Sequence, residues 1–288
     1  MNLLVVGASG LVGWNFLRVA RDAGHQVVGT YASHPIPGLR NLNIANAEAA
    51  RDLLETFKPD AVVCCAGWSW VDGCQRDPKR AFLENAKLPS QLGRLALQYN
   101  ARFLYFSTSY VFDGKDGPYD ENATTNPISI YGESKLEGER LVLEATEGLA
   151  LIARTMGVYG EEPQQKNFVY QVVRNLRGGK LMNIPSDQRG NASYVADLAL
   201  MCISLLMRGT SGIWNVAGPE PELYRKEFAL RVSHEYKLDS NLFRFITTSE
   251  LGQPAPRPLQ GGLKIDRAMN ATGFKPSPWT SFLIPEAI

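Results

Sequence analysis

Two rhythms of hydrophobic and polar positions alternate along this chain. Short apolar runs, NLLVVG from Asn2, QVVGTY from Gln26, AVVCCAG from Ala61, RFLYFS from Arg102 and LALIAR from Leu149, are bounded by glycine or polar residues and read as buried strands. Between them, apolar residues return every three or four positions over 11–23, 47–57, 79–99 and 129–144, the spacing of helices packed by one face. Apolar strands alternating with amphipathic helices predict a parallel sheet covered on both faces, an α/β doubly wound core.

Beyond Arg154 the rhythm loosens. Helical patterns recur near 168–177, 195–208 and 225–236, separated by longer loops rich in proline. This predicts a dinucleotide-binding core over 1–155 and a smaller C-terminal lobe over 156–288, mainly for substrate binding, with some segments returning to the core.

Composition narrows the classes of function. With 288 residues, 44% hydrophobic, and 30 Lys+Arg against 29 Asp+Glu, the chain is that of an ordinary globular protein with a formal charge of +1. Nothing in it calls for nucleic acid or an anionic membrane. No signal pattern and no apolar run of bilayer length is present, so the expected location is the cytoplasm. Cys64, Cys65, Cys74 and Cys202 have no framework spacing and are expected as free thiols. Three scattered histidines leave little from which to build a metal cluster, and none is expected.

The segment GASGLVG, Gly7 to Gly13, follows the first strand and opens the first helix, so helix amides would face the crevice and favour a pyrophosphate. Gly7 would permit the turn, Gly10 the approach of a phosphate, and Gly13 close packing of helix on strand. After the second strand, GTYASHPIPG carries no acid to hold a ribose 2′-hydroxyl, while Thr30, Ser33, His34 and Arg40 could surround a 2′-phosphate. NADP(H) is therefore preferred, with NAD(H) left open; the alternative is that His34 and Arg40 are solvated loop residues.

At the end of the fourth predicted strand stands STSYVFDG, and 129–144 opens with IYGESKLEGE. Tyr131 and Lys135, four apart, lie on one helical face, and Thr108 ends a strand whose carboxyl end borders the crevice. The three could converge beside a nicotinamide; taken one by one, they are equally a strand end and an exposed helix pair.

These motifs, with MNLLVVGASGLVGW, RTMGVYG, SDQRGNASYVADLA and RPLQGGLKIDRAMNATGF, make the chain resemble an extended short-chain dehydrogenase/reductase. Within that superfamily it is most similar to the dTDP-4-dehydrorhamnose reductases and the related regulatory subunit of methionine adenosyltransferase. The resemblance implies hydride transfer to a ketone, with Tyr131 as proton donor. Lys135 would supply the charge that stabilises the phenolate and hold the nicotinamide ribose, and Thr108 would hydrogen-bond the carbonyl. It also implies that Gly10, Leu11 and Val12 touch the pyrophosphate, Asn43 and Ile44 the adenine region, and Ala66, Gly67, Trp68 and Ser69 the nicotinamide side. On the substrate side it implies Ser69, Trp70, Ser109, Gly157, Asp187, Gln188, Arg189 and Arg257.

Departures from the family sharpen the expectation. Thr108 is followed by Ser109-Tyr110, not the Asp-Glu pair of the related 4,6-dehydratases, so dehydration lacks its acid and base. The reductases commonly carry tryptophan where Gly157 stands and aspartate where Ser109 stands; glycine is expected to leave space that Trp68 and Trp70 refill, unless these two are ordinary packing. The expected activity is an NADP(H)-preferring reduction of a nucleotide-linked 4-keto-6-deoxy sugar. The alternatives are a non-catalytic NADP-binding regulatory subunit of a synthetase and an NAD-dependent sugar-nucleotide epimerase. A homodimer is left open.

Overall fold

In chain order the first part runs β1 (Asn2–Val6), α1 (Leu11–Asp22), β2 (Gln26–Tyr31), β3 (Arg40–Asn41), α2 (Ala47–Phe57), β4 (Ala61–Cys64), α3 (Val71–Arg76) and α4 (Pro78–Phe82). A π-helical turn at Leu83–Lys87 follows, then α5 (Leu88–Gln98), β5 (Arg102–Thr108), α6 (Ile130–Ala145) and β6 (Leu151–Thr155). These elements come from a computed structural model that describes residues 1–219 and 222–278. Residues 220, 221 and 279–288, which the sequence reading assigns to the C-terminal lobe, lie outside the described residues.

The sheet has seven strands in the order β3-β2-β1-β4-β5-β6 followed by one later strand, and all neighbours are parallel. Strand order reverses at β1, flanked by β2 on one side and β4 on the other, which opens a crevice at their carboxyl ends. Alternation along each strand feeds two cores: Leu3, Val5, Ala61 and Val63 pack on one face with Phe16 and Leu17 of α1. Leu4, Val6, Val62 and Cys64 pack on the other with Leu54 of α2, Leu92 of α5 and Val142 of α6.

The second part runs β7 (Val158–Tyr159), α7 (Phe168–Arg177), β8 (Met182–Pro185), β9 (Arg189–Gly190), β10 (Ser193–Tyr194), α8 (Val195–Met207) and β11 (Gly212–Asn215). It continues with β12 (Leu223–Tyr224), α9 (Arg225–Glu235), β13 (Phe243–Ile246) and α10 (Asp266–Thr272). β11 is the seventh strand, beside β6, and α8 packs with α1 on the first core. α7, α9, β8 and β13 build a separate cluster around Tyr159, Phe168, Ile184, Phe228 and Phe243. The strand pattern did not reveal β11, because GIWN is four residues long and carries a polar end.

The helix expected over 79–99 is interrupted. Asp77 caps α4 by accepting from the Arg80 amide at 3.1 Å, and the π turn then separates α4 from α5. Such turns insert one residue into the helical ladder and often mark functional sites. Here the turn holds Asn85, which is buried.

Candidate functional site

Gly10 is the N-cap of α1; no side chain caps the helix and no acid stands in its first turn. First-turn amides and the positive end of the helix dipole are thus left for an anion. A Cβ on Gly10 would make only an ordinary contact, 3.6 Å from the Gly7 carbonyl oxygen, whereas one on Gly13 would overlap that oxygen. The turn therefore fits a dinucleotide pyrophosphate by an uncapped helix end and a cleared approach, with Leu11 and Val12 in the first helical turn.

Ser33, His34 and Arg40 are exposed around the β2–β3 connection, with Ser33 Oγ 2.9 Å from His34 Nδ1. Thr30 does not join them: it lies in register with Arg40 across the strands, but it is fully buried and its hydroxyl has no partner among the described residues. Asn43 is exposed and Ile44 half-buried against the second core.

Ala66, Gly67, Trp68 and Ser69 leave β4 in a loop gripped by the π turn. Asn85 Oδ1 accepts from the Trp68 amide at 2.7 Å, and its Nδ2 donates to the Trp68 carbonyl at 3.1 Å and to Ser134 Oγ at 3.0 Å. Its own carbonyl accepts from the Tyr105 hydroxyl at 2.5 Å. The rings of Trp68 and Trp70 meet edge to face at 6.3 Å, and Trp70 is 56% exposed. In the sequence Asn85 is one polar residue in a helical pattern, and nothing there marks it out.

Ser129 starts α6 by accepting from the Gly132 amide at 3.3 Å. A Cβ on Gly132 would overlap the Tyr110 carbonyl, and one on Gly138 the Asn85 carbonyl, so these glycines let the helix approach both. The approach packs the first turn of α6, with Tyr131, against the end of β5, where the Thr108 hydroxyl accepts from the Tyr110 amide at 3.2 Å. Burial pushes the Tyr131 phenol well above its ordinary value, against the opposing pull of Thr108 and with help from Tyr110 and Cys74. The Tyr110 ring stands edge-on to it at 5.5 Å.

Lys135 shares the helical face with Tyr131 and is buried. Its ammonium sits 4.0 Å from the centroid of the Tyr105 ring, and burial lowers it to about 8. One turn on, Glu139 forms a doubly hydrogen-bonded pair with Arg154, at 2.8 and 2.7 Å, with both side chains 3% exposed. It also accepts from Ser107 Oγ at 2.5 Å, which ties α6 to the strand that ends in Thr108. The i, i+4, i+8 series Tyr131, Lys135, Glu139 was a signal in the sequence for this buried face.

The substrate side departs further from expectation. Ser109 is buried with an unpartnered hydroxyl; a Cβ on Gly261 would come 3.6 Å from that oxygen and 3.4 Å from Cε of Met156. Gly157 leaves no space: its φ of +57° is left-handed, and a Cβ there would overlap the Asn191 carbonyl. Met156 is the side chain that fills this wall, against Gly190 and Gly261.

Asp187 accepts from Thr248 N at 2.9 Å and from its hydroxyl at 2.6 Å, and Gln188 Nε2 donates to the same hydroxyl at 3.1 Å. Arg257 pairs with Asp72 at 2.9 Å. Arg189 pairs with Glu222 at 3.4 Å, leaving only its Nε buried and unpartnered. As they stand, Asp187, Gln188 and Arg189 tie segments of the lobe to one another, and Arg257 ties the lobe to α3 of the core. Arg225, at the start of α9, is a cation the sequence reading did not select, because it looks like any charge at the edge of a helical pattern.

All four cysteines are free. Among the described residues no group of three or more His, Cys, Asp or Glu could hold a metal, and no helix is long and apolar enough to cross a membrane.

A family model described as the RmlD substrate binding domain matches residues 1–285. A dTDP-4-dehydrorhamnose reductase from Aggregatibacter actinomycetemcomitans is 30% identical over 290 residues, covering 96% of this chain and 95% of that protein. Methionine adenosyltransferase 2 subunit beta from Xenopus tropicalis is 31% identical over 262 residues, covering 88% of this chain and 78% of that one. Among solved structures, a dTDP-4-dehydrorhamnose reductase from Bacillus anthracis in complex with NADP superposes with a TM-score of 0.87 at 26% identity, covering 97% of this chain and 95% of that one.

Proposed function

This chain belongs to the RmlD substrate binding domain family, and we propose on that ground that it is an NADP(H)-preferring reductase of a nucleotide-linked 4-keto-6-deoxy sugar. The observation that carries the reading is the packing of the first turn of α6, with Tyr131, against the Thr108–Tyr110 end of β5 beside the crevice opened at β1. When bound in that crevice, the reduced nicotinamide supplies the hydride. Tyr131, protonated at neutral pH, donates its proton to the carbonyl oxygen as negative charge develops there, and Thr108 holds that oxygen in line. Lys135, buried on the same face of α6, would hold the cofactor ribose, and Asn85 fixes the loop that would flank the nicotinamide. Ser33, His34 and Arg40, with no carboxylate between residues 29 and 40, support the 2′-phosphate. Residues 1–155 would hold the cofactor, and the lobe beyond them mainly the substrate.

The test is consumption of NADPH by the purified protein with 4-keto-6-deoxy sugars linked to thymidine, uridine, cytidine and guanosine diphosphates. Turnover of at least one is expected, and silence on all four would sink the reading. The likeness to the frog beta subunit supports a second reading, a non-catalytic NADP-binding regulatory subunit. Co-purification with a synthetase, together with NADPH binding but no turnover, would favour it.

A further inference from the structure

A buried cation normally lies against a counter-charge, because removing it from water unpaired costs several kcal/mol. Arg257, whose side chain is 9% exposed, obeys that rule through Asp72, and the more exposed Arg189 also has a partner in Glu222. The half-buried Arg225 differs. Among the described residues no carboxylate stands within 4.0 Å of it; its guanidinium lies 3.6 Å from the centroid of the Phe168 ring instead. The nearest acid on its own helix, Glu227, is already engaged as a cap, accepting from the Tyr224 amide at 2.8 Å. Desolvation lowers the guanidinium to about 10, against the opposing influence of Tyr110.

The position of this side chain is constrained from two directions. The Arg225 amide donates to the Gln188 carbonyl at 2.8 Å, so its backbone is fixed to the 187–189 segment. The strand β12 that leads into Arg225 pairs with β9, whose Gly190 lies against Met156 just beyond the carboxyl end of β6. An anion on Arg225 would therefore lie on the lobe side of the crevice. We propose that Arg225 anchors the diphosphate of the substrate, an assignment that rests on the nucleotide-sugar reading above. A guanidinium presents paired donors that match phosphate oxygens, and Phe168 holds it in place without neutralising it. The two arginines selected from the sequence then shape the lobe, and the unpaired third makes the contact.

The experiment is calorimetric titration of dTDP, UDP, CDP and GDP into protein saturated with NADPH. Arg225→Met keeps an unbranched side chain against Phe168 and removes the charge. It should weaken the best-bound diphosphate by about 10- to 100-fold, the effect of losing hydrogen bonds to a charged group, while NADPH affinity stays at the parental value. Arg225→Lys, which keeps the charge but not the fork, should fall between Met and the parent. If the Met variant loses NADPH binding, Arg225→Gln takes its place with the same threshold. A parental diphosphate affinity in the charge-deleted variant overturns the anchor and leaves the reductase reading standing. A parent that binds NADPH but none of the four diphosphates overturns both.

Discussion

The two sides of the crevice are held together differently. On the cofactor side the decisive features are close in sequence: a turn from Gly7 to Gly13, the first turn of α1, and a connection from Thr30 to Arg40. On the substrate side the bonds span long stretches of chain. Asp72 meets Arg257 across 185 positions, Asn191 meets Leu263 across 72, and Asp187 meets Thr248 across 61. A helix end that binds phosphate is a local object, complete within a dozen residues. A pocket wall made by pairing distant segments exists only once the chain has folded, and the same arginine reads alike whether it holds a loop or a ligand.

The largest expected effect lies at the seam between the two sides. Tyr131→Phe keeps the ring and removes the proton donor, so turnover should fall by roughly 10²- to 10⁴-fold with NADPH affinity unchanged. A parental rate in this variant would remove the seam from the chemistry altogether.

Lys135 tests how far the cofactor side depends on burial. Its ammonium stays charged up to 10.5 in the unfolded chain but only up to about 8 in the folded one, so between those values the unfolded state binds more protons. This group therefore adds to stability as pH rises through that window, and its full penalty applies below about 8. Cys64 and Cys74, whose thiols burial holds up to about 11, act in the opposite direction. The quantity to measure is thus the difference in urea stability between Lys135→Met and the parent across pH 8 to 10.5. Lys135→Met should be the more stable at low pH, with its advantage shrinking as pH climbs. A difference flat in pH would contradict this.

Next in size is the long-range pair on the substrate side. Asp72→Ala leaves Arg257, whose side chain is 9% exposed, without its partner. The expected cost is roughly 1.5–3 kcal/mol in chemical denaturation, as for hydrogen bonds to charged groups. NADPH affinity should barely move; if it falls in step with stability, the two sides are less separate than their bonding suggests.

The smallest effect concerns cofactor choice. Arg40→Ala should lower the ratio of kcat/KM for NADPH to that for NADH by about tenfold, a difference of about 1.4 kcal/mol. An unchanged ratio would make Arg40 a solvated residue of a short edge strand.

Strand and helix periodicity alone determined the doubly wound sheet, and the glycine turn and the Tyr131–Lys135 spacing marked the uncapped start of α1 and one face of α6. These are patterns of nearest neighbours, and backbone geometry converts them directly into faces and ends. Folding decided what the spacing could not express. It gave GIWN a place beside β6, set Lys135 against the Tyr105 ring, blocked the Cβ position of Gly157 with the Asn191 carbonyl, and paired Arg257 and Arg189 with acids while leaving Arg225 without one among the described residues. Each of those outcomes depends on which atoms arrive from distant parts of the chain, and a side chain's charge or size takes on its role only against them.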